Sequence, residues 1–130
     1  MQEKDNPDIP EIKVLISRLK DQDYCYLTTT GRVSGRPHEI EIWFGANEST
    51  LYLLSGSEKS DWVKNLLKDP SVTVRIAKHT FTGTARVVKD REEELRARYL
   101  VAEKYQEWEE GRTLSQWAQT ALPVAIDVNP

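Results

Sequence analysis

Hydrophobic and polar residues alternate with a period of two along several short stretches of the chain. In HEIEIWF, at 38–44, Ile40, Ile42 and Phe44 share one face, and acidic residues alternate with them. Because successive side chains of a strand point to opposite faces, this pattern predicts a half-buried β-strand. Alternation, or enrichment in aromatic and β-branched residues, predicts further strands elsewhere. These cover residues 24–30, 50–55, 71–78, 80–88 and 121–128.

Other stretches carry apolar residues every three or four positions, which predicts amphipathic helices. The first covers 10–20, where Ile12, Leu15, Ile16 and Leu19 share a face. The second is predicted over 57–70, with a stripe of Trp62, Val63, Leu66 and Leu67 and an end at Pro70. The third is predicted over 90–108, with a stripe of Leu95, Tyr99 and Ala102. A short helix or turn is predicted over 113–120.

The order of these elements predicts a mainly β, α+β fold. Strands 71–78 and 80–88 lie too close for a crossover helix, so they are expected to pair as an antiparallel hairpin. Six short antiparallel strands with peripheral helices predict a small, partly open barrel. A ferredoxin-like sandwich is the alternative, which the hairpin disfavours. With 130 residues, we expect one domain over 9–130 after a flexible tail at 1–8.

Composition and charge narrow the function classes. The net charge of −3 argues against general nucleic-acid binding, which normally uses an excess of basic residues. Cys25 is the only cysteine, so no disulfide can form within the chain, and we interpret it as a small buried apolar residue. No stretch has the length of a membrane span, and the polar N-terminus does not resemble a signal peptide. We therefore expect a cytoplasmic protein.

The loop between the first two predicted strands is a candidate anion site. Gly31 and Gly35 permit close approach of a ligand, and Arg32, Ser34 and Arg36 supply hydrogen-bond donors. The equally weighted alternative is a plain hairpin connection with turn glycines and solvated arginines.

A second candidate is SGSEKSDW at 55–62, which joins a strand to a helix. Helix N-termini leave backbone N–H groups unpaired and carry partial positive charge, so small polar residues there suit a phosphate. The residues in question are Ser55, Gly56, Ser57, Lys59 and Ser60. The alternative is a helix cap formed by Ser57 or Ser60, which is compatible with anion binding. Trp62 is either a core anchor or a surface for a planar ring.

The sequence offers little support for other chemistries. His38 and His79 are the only histidines and lie on different predicted strands, so we expect no zinc site. Neither histidine has a recognisable triad context. The acidic stretches of the 90–108 helix are interpreted as solvated surface.

The loop TTTGRVSGRPH with IEIWF after it resembles the flavin/deazaflavin-dependent oxidoreductases, which include the deazaflavin-dependent nitroreductases. This family is a branch of the pyridoxamine 5′-phosphate oxidase-like split β-barrels. LYLLSGSEKSDWVKNL, DPSVTVRI and ALPVAIDV agree in order and spacing, so the resemblance covers 24–128. It implies a six-stranded, FMN-binding type of split barrel, a homodimer, and reduced deazaflavin (F420) as cofactor in preference to FMN.

The resemblance also implies which residues contact the cofactor. These are Arg32, Ser34, Gly35, His38, Trp43, Ser55, Lys59, Trp62 and Asn65, at positions that match the family pattern. His38 stands where many relatives have arginine, and Val33 where many have lysine.

The implied activity is hydride transfer from F420 or FMN to a small planar acceptor, such as a quinone or a nitroaromatic. The cofactor carries the chemistry, so no catalytic side chain is predicted. Aromatic residues near the C-terminus either line the acceptor side or pack the last helix onto the barrel. They are Tyr99, Tyr105, Trp108 and Trp117. Alternatives are a non-catalytic carrier or sensor of flavin or haem and, with less support, a pyridoxamine-phosphate-type oxidase.

Overall fold

A computed structural model describes residues 9–130, with side chains from Glu11 onward. The flexible tail predicted at 1–8 lies outside the described residues. The strands are β1 (Cys25–Thr30), β2 (Pro37–Ile42), β3 (Gly45–Asn47), β4 (Thr50–Ser55), β5 (Ser71–Ile76), β6 (His79–Val87) and β7 (Leu122–Val128). The helices are α1 (Ile9–Leu19), α2 (Asp61–Lys68), α3 (Arg91–Tyr105) and α4 (Gln116–Thr120).

The described strands form one antiparallel sheet in the order β2-β1-β5-β6-β7-β4-β3. Strands β2 and β3 lie at opposite edges, although only Trp43 and Phe44 separate them in sequence. The sheet must therefore curl until its edges approach each other, which gives a partly closed barrel. The predicted hairpin of β5 and β6 is confirmed, with Ile76 opposite His79.

The sheet has seven strands where the sequence predicted six, because the strand predicted over 38–44 ends at Ile42 and a further strand, β3, follows after this break. At the break, the Phe44 N–H donates to the Tyr105 hydroxyl at 3.1 Å, and the Phe44 carbonyl accepts from Lys104 Nζ at 3.1 Å. These backbone groups bond to α3 instead of a neighbouring strand. The chain then resumes pairing at β3, for which the sequence pattern predicted no strand.

The core forms where the inward faces of the strands meet α1. Leu27, Leu53 and Val74 are fully buried, and Ile12 and Ile16 of α1 cover them. Burial of each such side chain stabilises the fold by about 1.5–3 kcal/mol. The buried face predicted for α1 is therefore confirmed.

Two other helices bury only part of the apolar faces predicted for them. Leu67 of α2 is 63% exposed, although Val63 and Leu66 on the same helix are buried. In α3, the buried residues are Ala97, Arg98, Val101 and Ala102, whereas Leu95 and Tyr99 are half-buried. Small residues face inward because α3 lies close against the outer face of β4.

Arg98 is a buried charge that joins α3 to the segment leading into β7. Its Nη1 donates to the carbonyls of Ala118 at 2.9 Å and Ala121 at 2.7 Å. Its Nη2 lies 3.0 Å from Glu94 Oε2, one helical turn earlier. Buried charges require such partners, so Arg98 fixes α4 and the start of β7 against α3.

Arg86 organises an ionic network on the outer face of the sheet. Its guanidinium bonds both carboxylate oxygens of Glu93 at 2.7 Å and reaches Asp127 at 2.7 Å. The Tyr52 hydroxyl donates to Glu93 at 2.7 Å. Hydrogen bonds from Arg86 lower the pKa of Glu93 to about 2.

Glu93→Gln should destabilise the protein at neutral pH by about 1–2 kcal/mol, discounted because Arg86 is partly solvated. A depressed carboxyl pKa stabilises the folded state above the unfolded value of 4.5, and this contribution is lost as pH falls towards about 2. The difference from wild type should therefore shrink between pH 4.5 and 2. Urea unfolding at several pH values measures it.

The exposed Glu92 in the same helical turn provides the control, and Glu92→Gln should change stability by less than about 0.5 kcal/mol. An equal loss for Glu93→Gln at neutral and strongly acidic pH would contradict the ionic explanation.

Candidate functional site

The loop between β1 and β2 folds back on itself through backbone hydrogen bonds. The Gly31 N–H donates to the Arg36 carbonyl at 2.8 Å, and the Gly35 N–H donates to the Gly31 carbonyl at 2.9 Å. Gly35 has φ +74°, a left-handed conformation that glycine adopts without strain. Ser34 Oγ accepts from the Arg36 N–H at 3.1 Å. The loop is therefore a defined turn with a glycine requirement at position 35.

A polar clamp fixes this loop to α2. Asn65 Oδ1 accepts from the Arg32 N–H at 3.1 Å and from Arg32 Nη1 at 2.9 Å. Asn65 Nδ2 donates to Thr29 Oγ1 at 3.2 Å, and Lys68 Nζ donates to the Arg32 carbonyl at 2.9 Å. Asn65 is buried, so these bonds form with little competition from water.

Arg32 has a different environment from the one its sequence position suggested. Its Nη2 lies 3.1 Å from Asp61 Oδ1, in addition to the bond from Nη1 to Asn65. The guanidinium thus faces α2, and Asp61 partly neutralises its charge. Arg32 orients the loop, and its capacity for a further anion is reduced.

The turn before α2 leaves the first helical amides available. Ser60 is at the N-cap position but makes no side-chain cap bond. Its hydroxyl bonds instead to the Ser57 carbonyl at 3.0 Å and to Ser55 Oγ at 3.0 Å. Because the hydroxyl is turned away, no side chain of the described residues caps the first turn of α2. An anion placed there would meet unpaired N–H groups and the positive end of the helix dipole.

The loop and α2 together enclose a groove of about 440 Å³. Its walls include Thr29, Arg32, Ser34, His38, Trp62 and Asn65. The two sequence candidates are therefore neighbours in space, and five of the predicted cofactor contacts meet here: Arg32, Ser34, His38, Trp62 and Asn65.

The other predicted contacts lie beside this groove or elsewhere. Gly35 lines an adjacent depression with Lys68, and Arg36 lines neither. The turn residues Ser55, Gly56, Ser57, Lys59 and Ser60 lead into α2 without lining the groove. Trp43 packs against α3 and α4, with its ring stacked on Tyr105 at 4.4 Å and edge-on to Trp117 at 5.8 Å.

Because Gly31 has no side chain, the His38 and Ser34 side chains can lie close to its backbone in the wall of the groove. A β-carbon built there would lie 2.6 Å from His38 Nε2 and 2.7 Å from Ser34 Oγ. The imidazole thus occupies the space that any side chain at position 31 would fill.

Gly31→Ala should displace the His38 ring into the groove. Stability should fall by about 1 kcal/mol, because the contacted atoms end flexible side chains. Thermal melting measures this loss. The double variant Gly31→Ala/His38→Ala should recover much of the lost stability. If it does not, the His38 ring is not the source of the destabilisation.

Sequence reasoning missed Thr29, Asp61 and Lys68 as parts of this site. A signal was present, because Asp61, Asn65 and Lys68 are spaced four and three residues apart and share one helical face. That polar stripe faces the loop. Thr29 was hidden among three consecutive threonines that served only to predict a strand.

Cys25 is confirmed as a buried residue, and burial raises its pKa to about 12. The described residues contain no group of three or more His, Cys, Asp or Glu side chains placed to hold a metal ion. Within residues 9–130, no helix combines the length and apolar character needed to cross a bilayer.

A family model for F420H(2)-dependent quinone reductases matches residues 11–129. The chain belongs to this family. F420H(2)-dependent quinone reductases are deazaflavin enzymes, so the protein is a deazaflavin-dependent reductase and F420 is its cofactor. The family favours this assignment over FMN and over a non-catalytic carrier. No curated protein sequence matches the chain.

Solved structures share the fold of this quinone reductase family member. A candidate 5-nitroimidazole antibiotic resistance protein from Bacteroides thetaiotaomicron has 17% identity and a TM-score of 0.71, over 100% of this chain and 92% of that chain. A candidate pyridoxamine 5′-phosphate oxidase from Listeria innocua has 17% identity and a TM-score of 0.69, over 92% and 94%. An F420-H2 dependent reductase, FDR-A, has 23% identity and a TM-score of 0.61, over 82% and 94%. At these identities, the likeness establishes the split-barrel fold.

The groove fits the cofactor of the F420H(2)-dependent quinone reductases. It combines uncapped helix amides for an anionic group with the half-buried ring of Trp62 for a flat ring system. The absence of a β-carbon at Gly31 lets the His38 and Ser34 side chains lie against the loop backbone, which shapes this wall of the groove.

Proposed function

We propose that the protein binds reduced F420 in the groove between loop 31–36 and α2 and transfers a hydride to a small planar acceptor. Quinones and nitroaromatics are the acceptor classes. The observation that carries the proposal is the uncapped start of α2, which borders the same groove as the ring of Trp62. An anion site and a planar-ring site thus lie side by side.

In this proposal, each part of the groove has a separate role. The first amides of α2 bind an anionic group of the cofactor, and Trp62 stacks on its ring. Asn65 and Arg32 hold the loop in place, and His38 covers Gly31. The remaining proposed contacts are Ser34, Gly35 and Arg36 of the loop, Ser55, Gly56, Ser57, Lys59 and Ser60 of the turn, and Trp43.

Bound reduced F420 supplies the hydride, so no side chain is required as a nucleophile or a base. The chain contributes by fixing the donor and acceptor at a short distance, which supplies most of the acceleration. The half-buried side chains of Ile40 and Trp62 line the groove and exclude water from it.

Trp117 is the aromatic residue best placed to contact the acceptor. A β-carbon at Gly56 would lie 3.5 Å from Trp117 Nε1, so this indole touches the turn that leads into α2. Tyr105 instead packs into the fold, because its hydroxyl donates to the Asp23 carbonyl at 2.8 Å. Tyr99 and Trp108 contact each other, with ring centroids 4.5 Å apart.

Trp117→Ala should raise the acceptor KM about three- to tenfold, which corresponds to about 0.7–1.4 kcal/mol of lost stacking. Steady-state kinetics with a quinone acceptor measure this effect. Trp108→Ala is the matched control and should change stability with little effect on KM. A Trp117→Ala variant with lower stability and unchanged acceptor kinetics would show that the indole only packs.

We also propose that the protein is a homodimer. Apolar side chains remain exposed beside the groove, with Val33 at 92% and Leu67 at 63% exposure. A second copy that covers them would also close the groove to water. Light scattering at micromolar concentration tests this, and a monomer would contradict it.

The decisive experiment for function is a titration of the protein with reduced and oxidised F420, FMN and haem, followed by tryptophan fluorescence. Saturable F420 binding that quenches fluorescence in wild type but much less in Trp62→Phe supports the groove. Turnover of F420 with a quinone or nitroaromatic then tests hydride transfer. Quenching that persists in Trp62→Phe would move the cofactor elsewhere, and failure to oxidise reduced F420 with any acceptor would contradict the proposed reaction.

A further inference from the structure

A second cavity lies at the end of α3 and shares no lining residue with the cofactor groove. It encloses about 430 Å³ between α3, the segment before β1 and the start of β3. Its charged and polar lining consists of Lys20, Asp21, Asp23, Glu103, Lys104 and Tyr105. Nothing in the proposed hydride transfer uses this cavity.

Lys104 occupies an unusual position in this cavity. Its Nζ lies 3.6 Å from the centroid of the Phe44 ring and 4.9 Å from that of Tyr105. It donates one hydrogen bond, to the Phe44 carbonyl at 3.1 Å. No carboxylate of the described residues lies within ion-pair distance of it. The amine is therefore half-buried and held by aromatic rings, with a cavity in front of it.

The environment of Lys104 lowers the pKa of its amine. Burial lowers its pKa to about 8, against opposing effects of Asp21, Cys25 and Asp23. At pH 7, the Lys104 amine would then be neutral in about a tenth of the molecules, whereas an ordinary lysine is neutral in well under a thousandth of them. The groups that face it are Lys20, Asp21, Asp23, Cys25, Glu103 and Tyr105.

We propose that Lys104 is a reactive amine that condenses with small, neutral carbonyl compounds admitted by this cavity. The Nζ lone pair forms a bond to the carbonyl carbon, and the carbonyl oxygen takes up a proton released from nitrogen. Loss of water then gives an imine. The overall change is amine plus carbonyl to imine plus water, so no oxidant or reductant is needed.

The lining of the cavity selects the kind of carbonyl compound. Three carboxylates, those of Asp21, Asp23 and Glu103, line the cavity, with Lys20 as the other cation. When Lys104 is neutral, negative charge dominates the cavity and disfavours anionic substrates. The Leu100 side chain and the Tyr105 ring in the lining offer apolar contact to a neutral compound.

The test is reductive alkylation of the wild-type protein with propionaldehyde and cyanoborohydride, followed by peptide mapping with mass spectrometry. Lys104 should be alkylated at least about tenfold faster than exposed lysines such as Lys78 at pH 7. Its rate should rise with pH to a midpoint near 8. A rate no higher than that of the exposed lysines, or a midpoint above 10, would overturn the proposal.

Variants and a second probe complete the experiment. Lys104→Arg retains the charge and should abolish the fast site, whereas Lys78→Arg should leave it unchanged. Glyoxylate, an anionic aldehyde, should react more slowly than propionaldehyde, and faster reaction would overturn the selectivity for neutral compounds. The wild-type mapping needs no variant, so a misfolded Lys104→Arg would not affect the result.

Discussion

Replacement of Asn65 by leucine should lower the affinity for reduced F420 about 100-fold, equivalent to about 2.7 kcal/mol. Asn65 is the buried residue that joins Thr29 to Arg32 across the loop and α2. Leucine has a similar volume but no polar atoms, so the loop would lose its attachment. Its ordering would then oppose binding, because each ordered residue costs about 1–2 kcal/mol in backbone entropy.

The same substitution should reduce the free energy of unfolding by about 2–3 kcal/mol, since the Arg32 N–H and the Thr29 hydroxyl lose a partner. Titration calorimetry and urea unfolding give the two numbers. Asn65→Asp keeps the acceptor for Arg32 and should have a smaller effect on binding. Asp61→Asn, at a side chain that is 86% exposed, should cost less than about 0.5–1 kcal/mol of stability. Wild-type F420 affinity in folded Asn65→Leu would show that the loop is no part of the cofactor site.

Replacement of Arg98 by methionine should cost about 3–5 kcal/mol of stability, because removal of one partner leaves Glu94 without its buried cation. The carbonyls of Ala118 and Ala121 would also lose their donor. Thermal or urea unfolding measures the loss. Arg91→Met is the matched control, since Arg91 pairs with the same carboxylate but its side chain is 74% exposed.

The ionic origin of this effect can be separated from packing by a double-mutant cycle. Glu94→Gln/Arg98→Met should be less destabilised than the sum of the single variants, because it removes the carboxylate that Arg98→Met leaves paired only with the exposed Arg91. Additive losses would attribute the effect of Arg98 to its two carbonyl contacts alone.

Much of the fold could be predicted because alternation and helical spacing report burial directly. The paired strands around Leu27 and Val74 and the buried face of α1 at Ile12 and Ile16 are examples. The break at Trp43 was missed because alternation continues through it, with Phe44 still buried. A change of hydrogen-bond partner leaves no trace in such a pattern.

The charged residues of α3 show a second limit of sequence reasoning. The acidic stretches of this helix were interpreted as solvated, yet Lys104 within one of them is half-buried. Arg98, for which the pattern gave no prediction, is only 7% exposed. Their burial depends on carbonyl groups of distant segments, such as those of Ala121 and Phe44. Partners of this kind are set by tertiary packing, which the local pattern does not encode.

The candidate site was predictable in its parts and less so in its arrangement. Glycines in a turn and serines before a helix predicted two anion-binding segments. The loop lines one groove together with the first turn of α2, and the serines lead into that helix. Contacts between residues far apart in sequence turn the Arg32 guanidinium towards α2 and place Trp43 away from this groove. Arg32 and Asn65 are separated by 33 residues.

The position of β7 between β6 and β4 has a consequence for synthesis on the ribosome. Until β7 emerges, the other strands can form only two separate pieces, β2-β1-β5-β6 and β4-β3. The last strand joins them through pairs as distant in sequence as Thr50 and Asp127, 77 residues apart. Pairings of such long range are slow to form and leave strand edges open meanwhile. The nascent chain thus carries exposed β edges until its final strand arrives, which is the interval in which a chaperone would be of most use.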